Sequence, residues 1–195
     1  MDFLEKLRKT NNRVCPWWLC RSFDNPLRRL IHDPERMLSP FIRPGLTVVD
    51  IGCGMGYFTI GLARLVGPEG RVIAVDLQPQ MLAALGRRAD QAGLADRIVP
   101  RLARPDSLEV AARADFALAF WMAHEVPDKR RFFGEIFRFL KLGGSLLLCE
   151  PKFHVTGKAF AETAALCREA GFLPETEPSI ALSRASLMRK DSAAA

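Results

Sequence analysis

The stretch VVDIGCGMGYFT, residues 48–59, decides the fold of this chain. It opens with β-branched residues, which are typical of a buried strand. Gly52, Gly54 and Gly56 then stand at every second position directly after that run. Glycine adopts backbone angles that other residues avoid, and it leaves room for a ligand against the main chain. The stretch therefore predicts a strand that ends in a tight, ligand-accessible turn and continues into a helix.

Short apolar runs alternate with helical patterns from Leu46 onward, which predicts a doubly wound, mostly parallel α/β sheet with helices on both faces. Pro100 places the third strand at an edge, and we expect Gly143 and Gly144 to form a turn ahead of the fifth strand. The short turn between the last two strands requires them to be antiparallel. We expect strands at 46–51, 71–76, 97–102, 114–120, 145–150, 172–177 and 180–188, and helices at 57–66, 78–91, 128–140 and 158–170.

The first 45 residues follow a different pattern, and we expect them to form a short N-terminal helical lid, residues 1–45, ahead of a sheet domain at 46–190. Pro26 and Pro34 each follow residues suited to begin a helix, and proline is favoured at the first helical position. The aromatic residues of this part either line a pocket under the lid or pack on the sheet; they are Trp17, Trp18, Phe23 and Phe41.

Composition narrows the classes of function. The chain has 28 basic and 22 acidic residues and a net charge of +6, but the basic residues are dispersed, whereas a nucleic-acid face has a denser stripe. No apolar run approaches the length of a membrane span, and the charged N-terminus does not resemble a secretory signal. The five cysteines therefore suggest reduced thiols in a cytoplasmic protein. Cys15 and Cys20 lack a second pair to complete a zinc site.

Asp76 ends the second strand, twenty residues after Gly56. Ligands of open α/β sheets bind beyond the carboxyl ends of the strands, and an acidic side chain there can accept hydrogen bonds from both hydroxyls of a ribose. The glycine spacing G-x-G-x-G differs from the dinucleotide pattern G-x-G-x-x-G. Asp50 would repel a pyrophosphate and suits a cationic amino-acid group. These residues favour S-adenosylmethionine over a nicotinamide dinucleotide.

Four motifs in order then resemble those of the class I S-adenosylmethionine-dependent methyltransferases. They are DIGCGMG, VIAVDLQPQML, ADFALAFWMAHEVPD and LKLGGSLLLCEPK. The resemblance covers residues 40–188 and is strongest to the small-molecule branch that includes the quinone-biosynthesis C-methyltransferases. It implies a Rossmann-like seven-stranded sheet with an antiparallel last strand, S-adenosylmethionine as cofactor and methyl transfer to a small molecule.

The resemblance also implies which residues contact the cofactor. Many relatives carry an aspartate just after the third strand for the adenine edge; Arg104 occupies that place here, and Asp106 can substitute for it. The full set of expected cofactor contacts is Asp50, Gly52, Gly54, Gly56, Asp76, Leu77, Gln78, Asp106 and Phe120.

The chemistry is expected at the same edge of the sheet. Methyl transfer is an in-line displacement to which positioning contributes most, and a base accepts the proton of a protonated nucleophile. His124 follows the fourth strand and suits that role, or else it packs or caps the loop. Glu125 and His154 are further catalytic candidates, and Glu150 either faces the pocket or makes local hydrogen bonds. A His124–Glu150–His154 metal set lacks a recognised spacing.

Other functions stay open at this point. The chain can be a non-catalytic S-adenosylmethionine-binding regulatory or assembly protein, or a nicotinamide-dependent oxidoreductase. A trivalent metalloid would suit Cys15, Cys20 and either Cys149 or Cys167, and the Trp17–Trp18 pair suits a membrane surface. The fourth strand ends in FWMA, not in the Asn- or Asp-Pro-Pro-aromatic tetrapeptide of nucleic-acid amine methylation, so we expect no nucleic-acid substrate.

Overall fold

The computed structural model describes residues 30–191. The expectations for Cys15, Cys20, Trp17, Trp18, Phe23 and a helix at Pro26 lie outside the described residues. Helices α1–α5 span Pro34–Leu38, Tyr57–Leu65, Pro79–Ala92, Lys129–Phe139 and Gly157–Glu169. Strands β1–β7 span Thr47–Ile51, Arg71–Asp76, Ile98–Leu102, Ala114–Phe120, Leu140–Pro151, Phe172–Thr176 and Ser183–Lys190.

The strands form one seven-stranded sheet in the order β3-β2-β1-β4-β5-β7-β6. Strands β1 to β5 pair in parallel, and β7 is antiparallel to both β5 and β6. The predictions of a mostly parallel sheet, of β3 at an edge and of an antiparallel final pair are confirmed. The strand order reverses beside β1, so the carboxyl ends of β1, β2, β4 and β5 meet at one edge of the sheet, next to the reversal.

Alternating strand residues feed two cores, one on each face of the sheet. Val48 and Leu118 pack with Leu62 and Leu85 of α2 and α3 on one face. Val49, Ala117 and Leu148 point the other way, towards α4 and α5. Because both faces are covered, the central strands have almost no polar side chains in their interiors, as is typical of parallel sheets.

Strand β5 differs from its prediction. It begins at Leu140 and runs through the glycine pair, so the predicted Gly143–Gly144 turn is an irregularity within the strand. The pairing of β4 with β5 shifts register there, between Ala114 and Phe116. Gly143 has a φ of +77°, a region that favours glycine. The strand continues through the distortion because its residues pair with β4 on both sides of it.

Helix ends are fixed by side chains that the sequence places in front of them. Asp33 accepts a hydrogen bond from the Arg36 N–H at the start of α1, as Asp128 does from the Arg131 N–H at the start of α4. Thr156 caps α5 by accepting from the Ala159 N–H. Each cap supplies an acceptor to an N–H group that has no partner within its helix.

Lys190 stabilises the other end of α4. Its side chain is buried at 3% exposure, and its Nζ donates to the carbonyl oxygens of Phe137 at 2.6 Å and Leu140 at 3.0 Å. The ammonium also lies over the Phe137 ring. Burial lowers the pKa of Lys190, and the two carbonyl acceptors offset the cost of placing the charge inside the protein.

Replacing Lys190 with Met should lower the free energy of unfolding by about 2–4 kcal/mol, since two buried carbonyls lose their donor. Urea denaturation measures this change. Arg189→Met is the matched control: its side chain is 47% exposed and pairs with Asp191, so it should cost less than about 1 kcal/mol. Equal losses for the two variants would contradict the assigned role of Lys190.

Candidate active site

The glycine turn is held against the end of β2 by backbone hydrogen bonds. The N–H groups of Gly52 and Cys53 both donate to the Val75 carbonyl, at 2.9 and 3.0 Å. Gly52, Gly54 and Gly56 have φ values of +70°, +54° and +88°, so each occupies a backbone region that favours glycine. The turn thereby brings its N–H groups to the carboxyl edge of the sheet, beside Asp76.

Asp76 joins the turn to β2. Its two carboxylate oxygens accept from the N–H groups of Gly54 and Gln78, each at 2.9 Å. The residue is buried at 9% exposure. Burial raises the pKa of Asp76, and its bonds to the N–H groups of Gln78, Gly54 and Leu77 act in the opposite direction. Each carboxylate oxygen retains acceptor capacity, which suits the hydroxyls of a ribose.

Asp50 lies deeper than the sequence indicated. It is 2% exposed, and its Oδ2 accepts from the Thr59 hydroxyl at 2.6 Å. Thr59 belongs to α2 and is itself fully buried. The pair therefore ties β1 to the helix that follows the glycine turn; Thr59 was not singled out from the sequence.

The ends of the neighbouring strands β2 and β3 each carry an exposed leucine. Leu77 is 39% exposed and Leu102 is 50% exposed, and the register pairs Leu102 with Asp76. Asp106 lies on the loop after β3, where its exposed carboxylate is 3.4 Å from the Arg131 guanidinium. Leu102 was not among the residues predicted from the sequence, although an apolar residue at the end of an edge strand was the available signal.

His124, Glu150 and His154 come together where β4 and β5 end. Glu150, buried at 1% exposure, accepts from the His124 backbone N–H at 2.9 Å and lies 2.5 Å from His124 Nδ1. The rings of His124 and His154 are 4.8 Å apart, and Glu125 Oε1 is 4.0 Å from His124 Nε2. Neither local hydrogen bonds nor a pocket role accounts for these contacts of Glu150, since they reach His124, the candidate base, 26 residues away.

The charge state of His124 depends mainly on burial and on Glu150. Burial lowers the pKa of His124, but the hydrogen bond and negative charge of Glu150, with the charge of Glu125, outweigh it. Lys129 acts weakly in the same direction as burial. The net result is a pKa above the ordinary value of 6.5.

Aromatic side chains surround the end of β4. Trp121 has a φ of +57°, an uncommon conformation for a bulky residue and one that recurs at functional sites. Its Nε1 donates to the Ser183 hydroxyl at 2.8 Å, and its ring contacts those of His32, Phe120 and Phe153. Phe120 is only 7% exposed, whereas Phe153 is 68% exposed. The sequence analysis did not single out Phe153 or the constraint on Trp121.

The opposite edge of the sheet has a separate cavity. It is lined by Phe41, Asp115, Phe116 and Lys141, at the amino ends of the strands. Phe41 stacks on Phe116 at 6.2 Å, so of its two predicted roles the packing one is observed. This cavity is remote from the glycine turn and holds none of the predicted site residues.

The described cysteines are poor ligands in this structure. Burial raises the pKa of the Cys53 and Cys149 thiols well above the ordinary value, and it raises that of Cys167 to about 12. These thiols therefore stay protonated at neutral pH, whereas the thiolate is the form that binds metals. Within residues 30–191 no group of three or more His, Cys, Asp or Glu side chains is arranged to hold a metal ion.

A family model described as a methyltransferase domain matches residues 42–182, more than half of the chain. The chain belongs to this methyltransferase family. The resemblance to the class I S-adenosylmethionine-dependent enzymes is therefore confirmed, and family and fold together imply S-adenosylmethionine as the cofactor. The open turn, the buried Asp76 acceptor and the exposed leucine pair fit that molecule.

Individual relatives of this chain are also methyltransferases by name. It is 33% identical over 117 residues to the demethylmenaquinone methyltransferase of Symbiobacterium thermophilum, covering 60% of this chain and 47% of the relative. It is 32% identical over 108 residues to the arsenite methyltransferase of Halobacterium salinarum, covering 55% of this chain and 27% of the relative. The chain thus spans half or less of the length of these two relatives.

Solved structures show the same fold. An S-adenosylmethionine-dependent methyltransferase from Aquifex aeolicus superposes with a TM-score of 0.81 at 21% identity, covering 91% of this chain and all of the other. None of the helices among residues 30–191 is long and apolar enough to cross a membrane.

Alanine substitutions at two glycines of the turn should lower the free energy of unfolding by different amounts. A Cβ at position 56 would collide with the fully buried Leu85, whereas a Cβ at position 54 would meet nothing within 4 Å. We expect Gly56→Ala to cost about 2–5 kcal/mol, from backbone strain plus overpacking. Gly54→Ala should cost about 1–2 kcal/mol, from strain alone. Urea unfolding of both variants measures the difference, and a larger cost at Gly54 would contradict the packing described.

The ion pair of His124 and Glu150 should make stability depend on pH. The pKa of His124 is raised on folding, so its stabilisation is fully present below 6.5 and is lost as pH rises through the higher folded value. A double-mutant cycle with His124→Gln and Glu150→Gln isolates the coupling. We expect a larger coupling energy at a pH just below 6 than at pH 8.5, and no change between the two would contradict the pairing.

Proposed function

We propose that this chain transfers a methyl group from S-adenosylmethionine to a small molecule at the carboxyl edge of β1, β2, β4 and β5. The observation that carries the proposal is the Gly54–Asp76 hydrogen bond at 2.9 Å. It sets an acidic acceptor beside an open glycine turn, in a family whose cofactor is S-adenosylmethionine. That cofactor, when bound, supplies an electrophilic methyl group on a positively charged sulfur.

The chain's own residues hold the cofactor. Asp76 would accept from the ribose hydroxyls. The backbone at Gly54, where a Cβ would meet nothing within 4 Å, would leave room for the amino-acid part, whereas the Met122 side chain lies against Gly52. Leu77 and Leu102 would offer apolar contacts to the adenine, which is flat and largely apolar at its faces. Asp50 supports the turn through Thr59 and contributes negative charge near the cationic groups. The contacts predicted for Gln78, Gly56, Asp106 and Phe120 stay predictions.

Catalysis depends mainly on orientation. Binding both reactants at one edge of the sheet replaces a bimolecular encounter by an internal step. His124 is the candidate general base, because it lies at that edge and an imidazole can accept a proton. Glu125 and His154 flank it, and the charge of Glu125 raises the pKa of His124. The lid over the site, residues 1–45, and a cytoplasmic location stay predictions from the sequence.

A small-molecule acceptor is favoured over a nucleic acid. The relatives named above are methyltransferases of demethylmenaquinone and of arsenite, which are small molecules. Solved structures of similar fold also include a putative rRNA methylase from Clostridium thermocellum at 20% identity, which supports the fold alone. The FWMA sequence after β4 and the exposed aromatic ring of Phe153 fit an apolar small acceptor better than a polyanion.

Asp76→Asn should weaken S-adenosylmethionine binding at least tenfold, about 1.4 kcal/mol, because the amide has one acceptor oxygen where the carboxylate has two. Calorimetric titration of the purified protein measures this loss. Asp96→Asn is the control, since Asp96 is exposed on a turn before β3, and it should bind as the wild type does.

The proposal also requires turnover. Incubation with methyl-labelled S-adenosylmethionine should transfer label to a small-molecule fraction and not to RNA. Label in RNA would contradict the proposed small-molecule substrate and would indicate an RNA substrate instead. Tight binding with no transfer to either would favour a non-catalytic S-adenosylmethionine-binding protein.

A further inference from the structure

Both carboxylate oxygens of Glu150 contact His124. One accepts from the backbone N–H at 2.9 Å, and the other lies 2.5 Å from Nδ1. A carboxylate without a hydrogen of its own can only accept, so this contact favours the tautomer with the hydrogen on Nδ1. Glu150 is 1% exposed, and its two contacts fix the orientation of the imidazole.

The second ring nitrogen of His124 is thereby left as the basic one. In a neutral imidazole with Nδ1–H, Nε2 carries a lone pair. Glu125 Oε1 is 4.0 Å from Nε2, beyond hydrogen-bond length, so it does not hold a hydrogen there. Among residues 30–191, the other groups recorded as acting on the ring are His154, at 4.8 Å between ring centroids, and Lys129, whose charge lowers the pKa of His124. Neither is a carboxylate that would compete with Glu150 for the ring hydrogen.

The same edge offers an aromatic surface. The rings of Trp121 and Phe153 meet edge to face at 5.3 Å. Trp121 lies three positions before His124 in the sequence, and Phe153 lies directly before His154. Trp121 is fixed by its hydrogen bond to Ser183, and Phe153 is 68% exposed. A flat apolar molecule can pack against this pair with its polar substituent near the histidines.

We propose that Glu150 is a positioning residue that fixes the Nδ1–H tautomer of His124, and that the acceptor is an aromatic ring whose hydroxyl gives its proton to His124 Nε2. This inference rests on the proposed function and adds the class of acceptor. An amine is methylated through its own lone pair and needs no base to become a nucleophile. A ring hydroxyl is a weak nucleophile until its proton leaves, so it gains most from an oriented base.

The step balances as follows. The hydroxyl proton passes to Nε2, and Nδ1–H remains bonded to Glu150, so His124 becomes a cation beside an anion. The oxygen uses the electron pair of its O–H bond to form the new bond to the methyl carbon. The electron pair of the broken carbon–sulfur bond stays on the sulfur, which loses its positive charge.

Nitrogen NMR of the imidazoles tests the positioning role without turnover. The chain has three histidines, so the ¹⁵N-labelled side chains are few enough to assign with His32→Gln and His154→Gln. Above its pKa, His124 should carry hydrogen on Nδ1. A wild-type spectrum with the hydrogen on Nε2 would overturn the proposal, whether or not any variant folds.

Glu150→Gln should reverse this tautomer. The glutamine oxygen can still accept from the His124 N–H, which turns its NH₂ group towards Nδ1 and moves the ring hydrogen to Nε2. The pKa of His124 should fall towards 6.5. The matched control is Glu125→Gln, which removes the other neighbouring carboxylate and should retain Nδ1–H. Retention of Nδ1–H in a folded Glu150→Gln protein, judged by its thermal unfolding, would contradict the assignment.

The acceptor class is tested with 1-naphthol and naphthalene, which differ by one hydroxyl. In the presence of S-adenosylhomocysteine, 1-naphthol should shift the His124 Nε2 resonance, and naphthalene should shift it several-fold less. Equal shifts, or no shift with 1-naphthol, would overturn the hydroxyl assignment. Calorimetry with S-adenosylmethionine distinguishes failure of this inference from failure of the proposed function. Absence of S-adenosylmethionine binding to the wild-type protein would refute the methyltransferase proposal. Binding of S-adenosylmethionine together with the wrong His124 tautomer would refute only the inference about Glu150 and the acceptor.

Discussion

The hydrogen bond from the Gly54 N–H to the Asp76 carboxylate is the contact on which the candidate site depends. It fixes the turn after β1 to the end of β2, so the open side of the turn and the acidic acceptor keep one relative position. A buried carboxylate is costly without donors, and Asp76 obtains them from the backbone of this turn and of the next helix. The three glycines are required by their positive φ values, and Gly52 and Gly56 also by the side chains of Met122 and Leu85 that pack against them.

The second half of the site follows from strand order. Because β4 and β5 are parallel neighbours, the loop after one strand meets the last residues of the other. Glu150 at the end of β5 therefore reaches His124 after β4 with both carboxylate oxygens. The groups proposed to bind the cofactor and to accept the proton thus lie at one edge of the sheet, although they are far apart in the sequence. Orientation is the main catalytic resource of such a site.

The element pattern was predictable because hydrophobic periodicity and turn residues act locally. Pro100 predicted an edge strand, and β3 is at an edge; the short final connection predicted an antiparallel pair, and β6 and β7 form one. Contacts between distant residues were not predictable in this way. The pairing of Asp50 with Thr59, the bidentate contact of Glu150 and the constraint on Trp121 depend on packing across elements. The Gly143–Gly144 prediction was wrong for a related reason, since pairing with β4 extends the strand through a sequence that locally favours a turn.

The most direct measurement is calorimetric titration of the purified protein with S-adenosylmethionine and, separately, with NAD. We expect micromolar binding of S-adenosylmethionine, which corresponds to about −8 kcal/mol, and no binding of NAD. Such a result would mean that the G-x-G-x-G turn and Asp76 hold a nucleoside with a cationic amino-acid group. Binding of NAD in preference, or binding of neither molecule, would show that this edge of the sheet is not an S-adenosylmethionine site.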